Sequence, residues 1–462
     1  MTLIKSISGI RGTIGGREGE ALTPIDIVRY TSAYCHIIQR ECGKIAVTIV
    51  VGRDARISGE MVSTLMEQTL SAMGASVINL GLSTTPSVEV AVTDLKADGG
   101  IIITASHNPV QWNALKLLNS KGEFISAELG HELLAIADSG EINYADVFQL
   151  GKIEARDFLQ RHIELILALP MVDRENIAKA GFRIAVDAVN SSGSIYVPAL
   201  LKALGVNDIE MIHGDTSGNF AHNPEPLPEH LKDLGHLVKS KNCTLGIAVD
   251  PDVDRLALVC EDGSAFGEEY TLVAVADYVL SLHKGNTVSN LSSSRALRDV
   301  TLQHGGQYTA AAVGEVNVVK KMKETNAVIG GEGNGGVIFP DAHYGRDALA
   351  GIALFLSHLA CKKMSMTALR DHYPKYEIVK EKLELNPSVA MDEMLKKVST
   401  QFPDAEVNTV DGVKLDFAEG WVHLRKSNTE PIVRVIAEHR TRQDAQALAS
   451  SVMETVKKIL AI

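Results

Sequence analysis

Short runs of β-branched and aliphatic residues, each followed by a polar turn and then by apolar residues every three or four positions, recur along the chain as far as about Lys363. That alternation predicts βα units built around parallel-type sheets. Two kinds of loop repeat within it. One leads a strand into a polar turn and a helix start: IAVTIVVGRDARISGEM from Ile45, RIAVDAVNSSGSIY from Arg183 and NTVSNLSSSRALR from Asn286. The other ends a strand in an unusual sequence: GIIITASHNP from Gly100, TLGIAVDPDVDR from Thr244 and AVIGGEGNGG from Ala327. Open α/β sheets bind ligands outside the carboxyl ends of their strands. The pattern therefore predicts three similar mixed α/β sheet domains, each delivering one special loop at such an end. Beyond Lys363 come YEIVKEKLEL, a helix near Met391–Phe402, EVNTVDGVKLDF, WVHLRKSN, PIVRVIAEHR and a closing helix from Gln443 to Leu460. This reads as a smaller α+β carboxy-terminal domain whose sheet contains antiparallel strands. The expected segments are 1–150, 151–258, 259–367 and 368–462.

Composition narrows the class. A chain of 462 residues that is 45% hydrophobic and 22% charged can bury the cores of three or four domains. Its net charge of −12 argues against a nucleic-acid or anionic-membrane partner, because phosphate surfaces select clustered Lys and Arg. It leaves open an anionic small molecule held by a few local cations. The five cysteines, Cys35, Cys42, Cys243, Cys260 and Cys361, are scattered without CxxC spacing, so neither a disulfide framework nor a zinc site is expected. The amino terminus MTLIKSISGIRG lacks a signal pattern, and no apolar run nears the roughly 18 residues that span a bilayer. A cytoplasmic setting is expected.

Three loops and one turn carry candidate chemistry. In TASHNP, Ser106 stands at the end of a buried-looking strand where the chain must turn before Pro109, a place for a nucleophile or for a plain turn residue. In DPDVDR, Asp250, Asp252 and Asp254 sit at alternate positions, so on an extended loop they face one way and make a hard oxygen cage suited to Mg²⁺. An EF-hand fits positions one, three, five and twelve, the last being Glu261, but Arg255 occupies the position that needs glycine. GEGNGG from Gly331 matches G-x-G-x-x-G, yet continues as VIFPD where a dinucleotide fold needs a helix, so a ligand loop with Glu332 and Asn334 is the better reading. In RKSNTEP, Arg425, Ser427, Asn428 and Thr429, with Arg434 beyond, suit either a phosphate clamp or a surface turn. Arg11 and Lys116 are further cations beside these loops.

In this order, SGIRG, TASHNP, NALK, DPDVDR, GEGNGG and RKSNTEP resemble the α-D-phosphohexomutases, over nearly the whole chain. The resemblance implies four domains around a central cleft, one loop from each. It implies an intramolecular phosphotransferase that interconverts hexose 6-phosphate and 1-phosphate through a phosphoserine and a hexose 1,6-bisphosphate, which also serves as activator. Ser106 would carry the phosphoryl group, and Asp250, Asp252 and Asp254 would hold one Mg²⁺ with a phosphoserine oxygen. Arg11 and Arg255 would neutralise charge, Lys116 would handle a proton, and His107 and Asn108 would line the serine loop. Glu332 and Asn334 would meet the sugar, while Arg425, Ser427, Asn428, Thr429 and Arg434 would hold the phosphate that is not reacting. The partner is a small phosphosugar, with the chain a monomer or homodimer.

There are departures. Where many relatives read GExSGH, this chain has Asn334 and Gly336, and the role of the missing histidine would move, with His343 as candidate. Glu315 and Ala114 also depart from familiar turns. The sugar loop looks like that of the archaeal-type phosphoglucosamine mutases, which makes glucosamine phosphate the expected hexose and mannose or glucose phosphate the runner-up. A Mg²⁺-dependent sugar phosphatase could share the serine and aspartates without needing RKSNTEP.

Overall fold

The computed structural model describes residues 1–6, 9–384, 391–426 and 432–460. The chain divides into two compact units, Met1–Tyr278 with Asn334–Leu369, and Val279–Gly333 with Arg370–Ile462.

The first unit contains two sheets with a shared plan. In one, three parallel strands lie in the order Ser76–Leu82, Thr48–Arg53, Gly99–Ile103, and Trp112–Leu118 then pairs antiparallel with the last. In the other, the parallel order is Asp208–Ile212, Arg183–Asp187, Leu245–Val249, with Leu256–Val259 antiparallel beside it. The second unit repeats the parallel trio as Tyr308–Ala311, Asn286–Asn290, Ala327–Glu332. In each trio the third strand in sequence runs into one of the loops singled out above, which bears out the expected three-fold pattern.

Central strands covered on both faces read as unbroken apolar runs, and Gly99–Ile103 and Leu245–Val249 are buried at every position. Glycines here make room. A Cβ on Gly99 would lie 2.3 Å from the Tyr34 hydroxyl, which donates to the carbonyls of Gly100 and Leu118 at 3.1 and 2.7 Å. Tyr34 belongs to helix Pro24–Cys42, whose start is fixed by a Thr23/Asp26 capping box with proline in the first turn and whose end is a left-handed Gly43.

The carboxy-terminal sheet is antiparallel throughout, in the order Glu377–Glu384, Ile432–His439, Trp421–Lys426, Val413–Asp416, Glu406–Asn408. Helices Met391–Ser399 and Arg442–Leu460 share a core with it through Val398, Leu424, Val435, Val452 and Val456. The first helix stops three residues before the expected Phe402, and the second begins one residue before Gln443.

Within the second unit, buried polar side chains tie this sheet to the third α/β layer. Arg295 donates to the carbonyls of Ala418, Phe417 and Gly420, and Glu438 accepts from Trp421 Nε1 at 2.7 Å and from the Arg295 backbone. His423 Nε2 lies 2.6 Å from the Asp411 carbonyl, which can only accept, so the proton is on Nε2 and Nδ1 accepts from the Ser292 hydroxyl at 2.9 Å.

Burial pushes the His423 imidazole down to about 4, with Lys414 and Arg425 acting in the same sense and Asp411 against them. An unfolded histidine titrates near 6.5, so between there and about pH 4 the unfolded chain binds the proton more readily. The associated stability is complete above pH 6.5 and is lost as pH falls through that window, by on the order of 3 kcal/mol. Urea unfolding of the second unit at pH 7 and pH 4.5 should show this loss in the parent protein and a smaller one in His423→Gln.

Candidate active site

Strand Gly99–Ile103 ends in a loop where Ser106 adopts φ +49°, a left-handed conformation uncommon outside glycine and asparagine. The loop is over-determined around it. The Ser106 N–H donates to Thr104 Oγ1 at 2.9 Å, and Thr104 donates to Asp54 Oδ2 at 2.6 Å. Beside Asp54 stands Arg56, 1% exposed, whose Nε donates to Asp54 at 3.0 Å. Its other nitrogens donate to the backbone carbonyls of Ser106, Asn108, Pro109 and Trp112. All five guanidinium N–H groups are thus engaged, four of them by carbonyls of the serine loop. Phe220 covers the guanidinium at 5.0 Å. Burial raises the pKa of Asp54, with Arg56 opposing it.

The second loop follows strand Leu245–Val249. Val253, β-branched and fully buried, is held at φ +61°, which costs on the order of 1–3 kcal/mol. Backbone bonds hold it there, from Val253 N to the Asp250 carbonyl at 3.1 Å and from Ala348 N to the Val253 carbonyl at 3.2 Å. The kink directs Asp250, Asp252 and Asp254 together, each 0% exposed, with carboxylate oxygens within 4.8 Å of one another. Asp250 Oδ1 accepts from the backbone N–H groups of Asp254 and Arg255, and Oδ2 accepts from Ser106 Oγ at 2.8 Å. The nucleophile candidate and the metal-ligand candidates are therefore in direct contact, though 144 residues apart.

Asp252 Oδ1 and Asp254 Oδ1 are buried and meet no hydrogen-bond donor among the described residues. Orphaned carboxylate oxygens of this kind are costly unless a cation takes them. The donor set, hard oxygens only, fits a divalent ion of the Mg²⁺ type. Burial and the charges of Asp254 and Asp252 push the Asp250 carboxyl well above the usual range. Burial would raise Asp252 too, but Lys116 Nζ at 2.7 Å holds it well below.

Cations surround the cluster. Lys116, on strand Trp112–Leu118, spans Asp252 and Asp254; burial works against its charge, but the two carboxylates hold its pKa above the ordinary value. Arg255 Nη1 lies 3.2 Å from Glu225, and Arg11 Nη1 lies 3.5 Å from Asn108 Oδ1. His107 places Nδ1 3.5 Å from Ser106 Oγ, and burial, then the Arg255 charge, pushes its pKa down to about 2, so the ring is neutral. Glu225 arrives on a loop pinned by Asp187, whose Oδ2 lies 3.0 Å from His213 Nδ1 and 3.1 Å from His222 Nε2.

The structure thus brings together Ser106, His107, Lys116, Arg255 and the three aspartates, with Arg11 at the serine loop. Asn334, in the same unit, accepts from the Gly336 N–H at 3.2 Å. Glu332, in the second unit, is 5% exposed with Oε1 accepting from Asn290 and the Gly314 N–H. Arg425 Nε lies 2.8 Å from Asp411 and pairs in register with Arg434 across the sheet; Ser427, Asn428 and Thr429 lie outside the described residues. The role suggested for His343 does not hold: its ring lies 3.3 Å from Glu89 and 3.4 Å from Asp347, and the side chain beside Gly336 is Arg346. Arg346 Nη2 reaches Asp254 Oδ2 at 2.8 Å. Asp54, Arg56, Thr85, Glu225 and Arg346 were not picked out from sequence. One signal was present: the tetrapeptide GRDA occurs at Gly52–Ala55 and again at Gly345–Ala348.

Four domain profiles of one family match the chain end to end. They are phosphoglucomutase/phosphomannomutase alpha/beta/alpha domain I at residues 3–143, domain II at 160–263, domain III at 267–376 and the C-terminal domain at 379–455. A phosphoglucomutase/phosphomannomutase of Thermococcus kodakarensis is 34% identical over 441 residues, covering 94% of this chain and 95% of its own. A phosphoglucosamine/phosphogalactosamine mutase of Sulfurisphaera tokodaii is 32% identical, covering 98% of each. The crystal structure of a Burkholderia thailandensis phosphoglucomutase/phosphomannomutase family protein superposes with a TM-score of 0.86 at 27% identity, covering 99% of this chain and 97% of that one. The chain belongs to the phosphoglucomutase/phosphomannomutase family, and is a phosphohexomutase, an isomerase acting on hexose phosphates.

Proposed function

We propose that this chain interconverts glucosamine 6-phosphate and glucosamine 1-phosphate, with Ser106 carrying the phosphoryl group between the two positions of the sugar. The observation that carries the reading is the Ser106 hydroxyl 2.8 Å from Asp250, in a cluster with two unpartnered carboxylate oxygens. Mg²⁺ is the cation those oxygens suit, and with a phosphoserine oxygen it would neutralise charge on the transferring group. Attack by the free sugar hydroxyl breaks the bond from phosphorus to Ser106 Oγ and forms a hexose 1,6-bisphosphate. That bisphosphate turns over and returns its other phosphoryl group to Ser106, so added bisphosphate activates.

The attacking hydroxyl must shed a proton and the departing Ser106 oxygen must gain one. Lys116 is assigned to that proton traffic, with His107 lining the serine loop 3.5 Å from Ser106 Oγ. Arg11 and Arg255 add fixed positive charge. Glu332 and Asn334 are assigned to the sugar, and Arg425, Ser427, Asn428, Thr429 and Arg434 to the phosphate that is not reacting. The segments 1–150, 151–258, 259–367 and 368–462 then serve as phosphoserine, metal, sugar and phosphate-clamp domains, in a cytoplasmic monomer or homodimer.

The choice of glucosamine rests on Asn334 and Gly336 in the sugar loop and on the amino-sugar name of the Sulfurisphaera relative. The name of the Thermococcus relative favours glucose and mannose phosphates as the second reading.

With catalytic hexose 1,6-bisphosphate present, kcat/KM should be highest for glucosamine 1-phosphate among the glucosamine, mannose and glucose 1-phosphates. A higher value for either of the others would reverse the preference and leave the mutase assignment standing. Intact mass should show a phosphoryl group on part of the purified protein, absent in Ser106→Ala, and turnover in that variant should fall at least about a thousandfold, or roughly 4 kcal/mol of barrier. Arg56→Lys keeps a charge beside Asp54 but cannot reproduce the planar fork. It should lower kcat by on the order of a hundredfold with KM little changed, because the serine loop is misplaced and not the substrate. An unchanged kcat in a folded Arg56→Lys protein would remove that positioning role.

A further inference from the structure

Each aspartate of the cluster has an oxygen already committed. Asp252 Oδ2 accepts from the Thr85 hydroxyl at 2.5 Å and from Lys116 Nζ at 2.7 Å. Asp254 Oδ2 accepts from Arg346 Nη2 at 2.8 Å and from Lys116 at 3.4 Å. Asp250 Oδ1 takes two backbone N–H groups at 3.1 Å. A carboxylate whose one oxygen is held sideways offers a metal ion a single oxygen. This matters for which ion fits. Mg²⁺ requires a near-ideal octahedron at about 2.0–2.1 Å, whereas Ca²⁺ takes six to eight oxygens at about 2.3–2.6 Å and readily fills its shell with bidentate carboxylates.

Arg346 is the pin that reaches the cluster past Gly336 of the sugar loop. A Cβ on Gly336 would lie 2.3 Å from Arg346 Cδ and 3.0 Å from Cγ, so the guanidinium reaches Asp254 only across a residue with no side chain. The Arg346 backbone is fixed by a bridge to Ile338 and by the neighbouring Asp347 N–H donating to the Val337 carbonyl at 2.9 Å. Asp347 itself caps helix Ala348–Lys362 through the N–H groups of Leu349 and Ala350. The long arginine side chain therefore starts from an immobile point and ends on one chosen oxygen. We propose that Arg346, given room by Gly336, locks Asp254 into single-oxygen ligation and so selects small octahedral dications of the Mg²⁺ type over Ca²⁺. The proposal rests on the reading of the aspartate cluster as the metal site.

Removing Arg346 also removes a positive charge, which strengthens the binding of every dication alike. The ratio of Ca²⁺ to Mg²⁺ dissociation constants cancels that term and reports the coordination geometry. The two ions are titrated by competition calorimetry into metal-free parent protein, Arg346→Gln and Gly336→Ala, the last keeping the arginine but displacing it. Folding is checked by thermal melting. In both variants the ratio should shift toward Ca²⁺ by about tenfold or more, the range in which groups that orient a metal's ligands act. If the parent binds neither ion, the metal reading of the cluster fails and the proposal with it. If the parent binds Mg²⁺ and both folded variants keep its Ca²⁺/Mg²⁺ ratio, the proposal is overturned while the metal reading survives. A shift in Arg346→Gln alone overturns the part assigned to Gly336.

Discussion

Three carboxylates held within 4.8 Å of one another and out of contact with water repel, and much of the first unit is arranged around that repulsion. Lys116, Arg346 and the Thr85 hydroxyl are placed on the outer oxygens, two backbone N–H groups on a third, and the Ser106 hydroxyl on a fourth. The two inward oxygens are left without donors. Partial neutralisation of this sort lessens the repulsion and leaves hard oxygens of the kind a divalent cation takes. It also explains why Val253 tolerates a left-handed backbone, since an unstrained loop would splay the three side chains and leave no common focus.

Arginine solves a second problem that recurs in both units. Strand ends and sharp loops leave carbonyls with no partner in a ladder, and buried carbonyls must find donors. Arg56 gathers four of them from the serine loop, and Arg295 gathers three from the segment between Val413–Asp416 and Trp421–Lys426. In both cases a carboxylate, Asp54 or Asp416, takes a remaining edge of the guanidinium, so the buried charge is paired. Only a planar fork of five donors can do this, which is why lysine is no substitute. The serine loop with its candidate nucleophile is thereby held by a residue that lies outside the aspartate cluster.

That distinction separates what could be read from the chain alone from what could not. Ser106 and the three aspartates were legible because each motif is local: a strand, a turn, and chemistry-bearing residues at fixed short spacing. The three-fold recurrence of α/β units was legible for the same reason, since period and turn signals are short-range, whereas the order of strands in each sheet was not. Arg56, Glu225 and Arg346 were not, because each acts through contacts about 30 to 92 residues distant in sequence, and no spacing rule reaches that far. The suggestion of His343 failed on the same ground. Proximity along the chain to Gly336 pointed to it, but the strand and turn between them send that ring to Glu89 and Asp347 and bring Arg346 back to the cluster.

Gly336 shows how one missing side chain reorganises a site. Its absence of a Cβ is of no use as a turn, because the residue lies in strand Gly336–Ile338 with no need of unusual backbone, and a glycine inside a strand is ordinarily a loss. What the glycine provides is passage for the Arg346 side chain, and with it a charge that stays fixed across the physiological pH range, since a guanidinium does not titrate there. A histidine at position 336 would project its own ring into that passage and would change charge near neutrality. Any Cβ at position 336 would crowd the Arg346 methylenes, so the arginine side chain would have to shift to admit one. With glycine at 336, the group that reaches Asp254 from this side is the permanent charge of Arg346.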